Sequence, residues 1–241
     1  MKKLEDILEW YKRDTIELFG NDLVSIILFG SATTNEYVHK RSDINSLIVL
    51  NEEGIADVWR ANKSVAKWRK MRIANPYFMT QTYINASTDS FPIEFLNMRF
   101  SYQVLFGENV LKDFKIRNSD LRLQCEHELK GKLLHLRQGV VLNGGKVSEL
   151  ERLIAQSLST FTSIFRALLY LKNKQVPKKK KDVLMDACEL FGLDAELFKK
   201  LYTVRKQKVK WNRRELIEKM KQYISEIEKL SIAVDQMTVK N

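Results

Sequence analysis

Gly30, Ser31 and Asp43 have the types and the spacing of a site for a phosphate group and a metal ion. Gly30 and Ser31 directly follow the apolar run 23–29. A glycine there lets the backbone approach a phosphate closely, and the amides and hydroxyl that follow can donate hydrogen bonds to it. Asp43 comes 12 residues after Ser31 and offers a carboxylate, a ligand that hard divalent cations prefer. The pattern predicts a site for a nucleoside triphosphate and a metal ion, with a simple turn and a turn-capping aspartate as the alternatives.

Asn45 stands where a second carboxylate would complete this site. Residues two apart in a strand face the same way, so we expect Asp43 and Asn45 to share a face and Ile44 to point to the other. An amide oxygen can still bind a metal ion, but the site has one negative charge fewer than an Asp-x-Asp pair would give it. We therefore expect weaker metal binding and slower chemistry.

Glu94 is the third candidate for chemistry. It lies in the apolar run 91–96, which predicts a strand. A carboxylate in such a run is costly to ionise unless it has a partner. A metal ion or a substrate hydroxyl awaiting deprotonation would serve, and a salt bridge to a lysine or arginine is the alternative.

The elements that must position these residues follow from the hydrophobic pattern. Continuous apolar runs at 23–30 and 44–50 predict buried strands. The same reasoning predicts the other elements of this half: helices at 3–19 and 53–70, and strands at 91–96 and 102–106.

After about residue 116 the strand-like runs give way to long amphipathic segments. Helices are predicted at 119–142, 148–173, 182–191, 194–206 and 213–236. Ser119 and Ser148 are the residue type preferred as helix N-caps. The chain is therefore predicted to be α+β, with a domain at 1–116 that has a small mixed sheet flanked by helices, followed by a helical bundle at 117–241.

The composition limits the classes of protein to consider. A chain of 241 residues can bury a sizeable core without disulfides or a structural metal. Cys125 and Cys188 lie far apart without the spacing of a metal site, which fits a reduced cytoplasm. No apolar run approaches the roughly 18 residues of a membrane span, and the charged start lacks the pattern of a signal peptide. We expect a cytoplasmic protein without a membrane partner, and the net charge of +11 suits an anionic ligand.

Three motifs in this order resemble those of the DNA polymerase β-type nucleotidyltransferase superfamily, which includes the aminoglycoside nucleotidyltransferases such as the kanamycin enzyme. They are Phe-Gly-Ser at 29–31, Ser-Asp-Ile-Asn at 42–45 and Pro-Ile-Glu-Phe-Leu at 92–96. The resemblance covers roughly residues 20–110. The helical half is similar, in its general pattern only, to the bundle that follows the catalytic domain in the kanamycin-type enzymes.

The resemblance implies a role for each candidate residue. In the superfamily the glycine-serine turn binds the triphosphate, which gives Gly30 and Ser31 the task of orienting the leaving pyrophosphate. An acidic pair and a third acidic residue hold two divalent ions there, which makes Asp43 the main metal ligand and Asn45 a weak one. Glu94 would be the third metal ligand or the catalytic base. The implied cofactor is Mg²⁺, with ATP or another nucleoside triphosphate as substrate and a hydroxyl as acceptor of the nucleoside monophosphate.

The loop before Asp43 departs from the superfamily pattern. It reads Ala-Thr-Thr-Asn at 32–35, where the superfamily often has an arginine and a glycine. Lys40 and Arg41 lie further along this loop and are candidates for contact with phosphates, with a solvated loop tip as the alternative.

The missing carboxylate at Asn45 leaves a second function open, which is a catalytically lapsed protein that senses a nucleotide or binds a partner on the same scaffold. A nucleic-acid partner suits the charge, but no recognised binding motif or dense basic stripe supports it. The acceptor, a small molecule or a protein, depends on cleft walls that the sequence does not position. Active sites shared by two subunits occur among the proteins it resembles, so a homodimer is a further expectation.

Overall fold

The computed structural model describes residues 3–34, 37–39, 42–204 and 211–240. The chain divides into two compact units. One comprises the residues up to 89 together with 95–115, and the other comprises 90–94 and the residues from 116 onward.

A small mixed sheet and short helices make up the first unit. The elements of this half of the chain are α1 (Leu4–Phe19), β1 (Leu23–Phe29), β2 (Asn45–Leu50), α2 (Glu52–Ala56), α3 (Asn62–Lys70), β3 (Tyr77–Met79), α4 (Gln81–Ala86), α5 (Pro92–Phe100) and β4 (Tyr102–Gly107). The strand order is β3-β2-β1-β4. β1 runs antiparallel to β2 and β4, and β2 runs parallel to β3, which confirms the predicted small mixed sheet.

The two central strands form because their residues are apolar on both faces. Ile26 and Ile27 of β1 and Leu47 and Ile48 of β2 are all fully buried. A strand that is covered on both sides needs such a continuous apolar run rather than an alternating one. The strands predicted from these runs are therefore confirmed.

Two hydrogen bonds and one aromatic contact link β2, α1 and α3. The hydroxyl of Tyr11 in α1 is 2.7 Å from the hydroxyl of Ser46 in β2. The ring of Tyr11 packs edge-on against Trp68 of α3, with 5.0 Å between the ring centroids. The indole nitrogen of Trp68 donates to Asp14 Oδ2 at 2.7 Å. Each buried polar atom named here has a partner. These contacts therefore fix the position of the start of β2 relative to α1 and α3.

The strand predicted at 91–96 is wrong, because these residues begin the helix α5. Pro92 occupies the first helical position, where its fixed backbone angle favours a helix and its missing N–H costs nothing. Short apolar runs do not distinguish a buried strand from a buried helix. The helix predicted at 53–70 is also interrupted, since α2 and α3 are separated by a 3₁₀ turn at Val58–Ala61.

The second unit is a helical bundle, as predicted. Its long helices are α6 (Asn118–Leu142), α7 (Val147–Leu171), α8 (Lys180–Phe191), α9 (Ala195–Val204) and α10 (Arg213–Asp235). Four aromatic rings from α7, α9 and α10 meet in its core, with centroid separations between 5.7 and 6.2 Å. They belong to Phe161, Phe165, Phe198 and Tyr223.

A polar seam joins α6 to α10. Arg122 donates to Glu126 at 2.9 Å and to the backbone carbonyl of Val234 at 3.1 Å. Lys130 contacts both Glu126 and Asp235. The hydrogen bond from Lys130 is the main reason that the pKa of the Glu126 carboxyl falls to about 2.

The ends of these helices follow local rules only in part. Gly192 ends α8 with φ of 62°, a left-handed angle that glycine adopts without a steric penalty. Ser119 and Ser148 are not the N-caps, because α6 and α7 begin after Arg117 and Lys146. Within the described residues, none of the helices combines the length and apolar character needed to cross a membrane.

Candidate functional site

The Gly30-Ser31 turn has a backbone that requires glycine. Gly30 has φ of 77°, and its N–H donates to the carbonyl of Ser101 at 3.0 Å. The hydroxyl of Thr33 donates back to the Gly30 carbonyl at 2.8 Å. A Cβ atom at Gly30 would lie 3.3 Å from Asn45 Nδ2, so a side chain there would meet both backbone strain and a close neighbour.

The turn that follows Gly30 is short. Gly30–Thr33 forms one 3₁₀ turn rather than the start of an α-helix. A single turn has too few aligned peptide dipoles to attract an anion strongly. Any phosphate bound here would therefore depend on hydrogen bonds from backbone amides and from the Ser31 hydroxyl.

Asn45 lies beside this turn. It is the first residue of β2 and pairs with Phe29, the last residue of β1. Burial alternates along the segment, since Asp43 is exposed, Ile44 is fully buried and Asn45 is half-buried. The structure thus brings Asn45 next to Gly30, two positions that are 15 residues apart in the sequence.

Asp43 is held by an arginine that the sequence analysis missed. Arg72 Nη2 donates to Asp43 Oδ1 at 2.8 Å. Both side chains of this ion pair are substantially exposed, 44% for Arg72 and 60% for Asp43. The local sequence pattern does not indicate a site role for Arg72. This residue lies just after the end of α3, and only the fold brings it to Asp43.

The residues around Asp43 do not fit a two-metal centre. Asp43 faces a guanidinium, and Asn45 supplies an amide in place of a carboxylate. Across the part of the chain that the structure describes, no group of three or more histidine, cysteine, aspartate or glutamate side chains is arranged to hold a metal ion. Two divalent ions need more negative charge than this arrangement offers.

Glu94 has a different setting from the one predicted, because it lies in α5 rather than in a strand. It is half-buried and groups with the second unit. Gln124 of α6 donates from Nε2 to Glu94 Oε2 at 2.8 Å and accepts from the Ile93 N–H at 2.7 Å. One glutamine side chain therefore fixes both the start of α5 and the carboxylate. The role of Glu94 as a metal ligand or base stays a prediction.

The structure does not test the predicted phosphate contacts of Lys40 and Arg41. Lys40 and Arg41 lie outside the described residues. Near them, the N–H of Val38 donates to Ser42 Oγ at 3.0 Å, which closes the described end of the loop before Asp43.

Comparison with known proteins finds a structural likeness and no sequence match. No protein-family model and no curated protein matches the chain. Its structure is similar to the crystal structure of the spectinomycin adenyltransferase AAD(9) from Enterococcus faecialis with ATP and spectinomycin. The TM-score is 0.57 at 11% sequence identity, over 92% of this chain and 98% of that one. The chain therefore has a nucleotidyltransferase-like fold, with a small mixed sheet and a helical C-terminal region.

Proposed function

We propose that this chain binds a nucleoside triphosphate, with ATP as the first candidate, at the Gly30-Ser31 turn. The observation that carries the proposal is the left-handed backbone of Gly30, with φ of 77°, directly beside the Asn45 amide. The amides after Gly30 and the hydroxyl of Ser31 are donors that suit phosphate oxygens. The likeness to the fold of an adenyltransferase crystallised with ATP supports the choice of ligand.

Transfer of the nucleoside monophosphate is a second candidate function. The observation that favours it is that the likeness extends over 92% of this chain and so includes its helical unit. In this reaction a hydroxyl oxygen of the acceptor would attack the α-phosphorus. The bond from that phosphorus to the bridging oxygen would break, pyrophosphate would leave, and the hydroxyl proton would pass to a general base, which is the role that the resemblance implies for Glu94. The acceptor is a small molecule or a protein that carries a hydroxyl group.

Binding is tested by calorimetric titration of each nucleoside triphosphate, with Mg²⁺ and with EDTA. We expect ATP to bind the wild-type chain and Gly30→Ala to weaken binding at least about tenfold, which corresponds to about 1.4 kcal/mol. Gly20→Ala is the matched control, because Gly20 also has a positive φ of 53° but a Cβ there would meet nothing within 4 Å. Equal losses in both variants would assign the effect to backbone strain and contradict the proposed site.

Transfer is tested by pyrophosphate release from the triphosphate that binds. Turnover that disappears in Asp43→Ala and Glu94→Gln would support the second candidate. Saturable binding without pyrophosphate release in the presence of candidate hydroxyl acceptors would leave nucleotide binding as the function.

A further inference from the structure

Arg72 has a backbone conformation that normally favours glycine. Its φ is 63°, in the left-handed region. The N–H of Ile73 donates to the carbonyl of Trp68 at 3.1 Å, and the N–H of Arg72 donates to that of Arg69 at 3.0 Å. This pair of bonds is the Schellman ending of a helix, in which the left-handed position is usually occupied by glycine. An arginine at this position therefore carries a local steric cost.

The ion pair between Arg72 and Asp43 contributes little folding stability to offset that steric cost. Arg72 and Asp43 are both substantially exposed, and exposed ion pairs contribute little to folding stability. This exposed ion pair by itself therefore offsets little of that steric cost.

The backbone of Arg72 is bonded to the segment that carries Asp43 and Asn45. The N–H of Ile44 donates to the Arg72 carbonyl at 2.9 Å, and the N–H of Ala74 donates to the Ile44 carbonyl at 2.9 Å. These bonds join the end of α3 to the segment that carries Asp43 and Asn45. In an extended segment the Cα atoms of Asp43 and Asn45 are about 7 Å apart. That distance is short enough for the Arg72 guanidinium bonded to Asp43 to reach a triphosphate bound beside Asn45.

The neutral amide of Asn45 and the positive charge of Arg72 favour the same kind of ligand. An aspartate at position 45 would repel a triphosphate unless a metal ion lay between them, whereas the Asn45 amide can donate to a phosphate oxygen. A guanidinium has several N–H groups in one plane, so it can contact a carboxylate and a phosphate together. One negative charge fewer and one positive charge more both favour a phosphate ligand without a metal ion.

We propose that Arg72 supplies the positive charge that a divalent cation would supply at Asp43, so that this chain binds a nucleoside triphosphate through Arg72 and without a metal ion. This inference rests on the proposed nucleotide binding at the Gly30-Ser31 turn. It makes Arg72 a phosphate-binding residue and Asp43 the residue that orients it.

The test compares ATP binding by the wild type and by Arg72→Gly, in EDTA and in excess MgCl₂. Glycine suits the left-handed angle at position 72, so this variant removes the guanidinium without endangering the fold, and its melting temperature should equal or exceed that of the wild type. Arg69→Ala is the control, because it removes the same charge from an exposed position at the end of α3.

We expect wild-type affinity in EDTA to lie within about threefold of that in MgCl₂, and Arg72→Gly to lose at least about tenfold in EDTA. Arg69→Ala should bind as the wild type does. Binding by the wild type that requires Mg²⁺, or equal binding by Arg72→Gly and the wild type in EDTA, would overturn the role of Arg72 and leave the proposed function standing. Absence of ATP binding in both buffers would overturn the proposed function itself.

Discussion

Asn45 and Arg72 change the charge around Asp43 in the same direction. One replaces a carboxylate with an amide, and the other adds a guanidinium 2.8 Å from the remaining carboxylate. In the superfamily that the motifs resemble, two divalent ions neutralise the triphosphate. In this chain Asn45 and Arg72 make the surroundings of Asp43 less negative, which is the physical basis for the proposal of binding without a metal ion.

A carboxylate at position 45 should therefore impair binding when no metal ion is present. Asn45→Asp is expected to weaken ATP binding in EDTA at least about tenfold, because a second negative charge would face the phosphates. Titration calorimetry in EDTA and in MgCl₂ gives the comparison. Asn62→Asp, an exposed position in α3, makes the same charge change elsewhere and should leave binding unaltered. Unchanged affinity of Asn45→Asp in EDTA would show that position 45 does not face the phosphates.

At the residue scale, the sequence predicted what depends on local pattern. The turn at Gly30 could be predicted because a glycine directly after a buried strand is typical of a turn, and the structure has a 3₁₀ turn at Gly30–Thr33. Arg72 could not be predicted, because it is 29 residues from Asp43 and reaches it through the ending of α3. Glu94 was assigned to the wrong kind of element, and its partner Gln124 lies on a helix 30 residues further along.

At the scale of elements, β2 depends on α1 and α3 for its position. The hydroxyl of Tyr11 bonds that of Ser46, directly after Asn45, and the ring of Tyr11 packs on Trp68. Burial raises the pKa of Tyr11 well above its usual range, so the phenol stays protonated and can donate to Ser46. Contacts on the side of the strand opposite to the Asn45 side chain thus set the position of β2. The position of Asn45 depends on the same contacts.

Removal of this hydroxyl should destabilise the first unit. Tyr11→Phe is expected to lower the free energy of unfolding by about 1–2 kcal/mol, because the buried hydroxyl of Ser46 loses its partner. Tyr83→Phe is the matched control, because Tyr83 is about half exposed. Chemical denaturation of the three proteins, followed by tryptophan fluorescence, gives the comparison. If Tyr11→Phe and the wild type unfold alike, the Tyr11 hydroxyl does not anchor β2.

The elements that the sequence predicted correctly are those with long or continuous patterns. β1, β2 and the long helices of the second unit all have such patterns, whereas 91–96 is too short for its period to be read. The Pro92 that begins α5 was the available signal, since proline is favoured at the first helical position. The N-caps predicted at Ser119 and Ser148 were each off by two residues, within the usual uncertainty of helix boundaries.

At the scale of the whole molecule, the chain shares its fold with a protein to which its sequence has little similarity. The likeness to the spectinomycin adenyltransferase covers 92% of this chain at 11% identity. Such a fold depends on the spacing of apolar residues along the chain. Because that spacing can be read from the sequence, the α+β class and the helical bundle could be predicted. Activity depends on a few side chains in the site, which a shared fold does not determine.

The second unit should respond to acid through the seam between α6 and α10. The pKa of Glu126 falls in the folded protein from its ordinary 4.5 to about 2, chiefly because Lys130 bonds the ionised carboxylate. A lowered folded-state pKa means that its contribution to stability is complete above about pH 4.5 and disappears as the pH falls toward about 2.

Glu126→Gln should therefore be less stable than the wild type at pH 7, with a difference that shrinks steadily below about pH 4.5. Urea denaturation at several pH values, followed by circular dichroism, measures the difference. Glu218→Gln is the control, because Glu218 is an exposed residue of α10 whose ion pair with Lys221 is long, at 3.7 Å. A Glu126→Gln deficit that does not change between pH 7 and pH 2 would contradict a carboxylate held by Lys130.

The most direct test of nucleotide binding at this turn is an NMR titration of the wild-type chain with ATP in EDTA. Backbone amide signals of Gly30 and Ser31 should shift together and saturate, and the Nε–H signal of Arg72 should follow the same binding curve. Saturable shifts confined to other parts of the chain, or no saturable shift at these three groups, would contradict the proposed site.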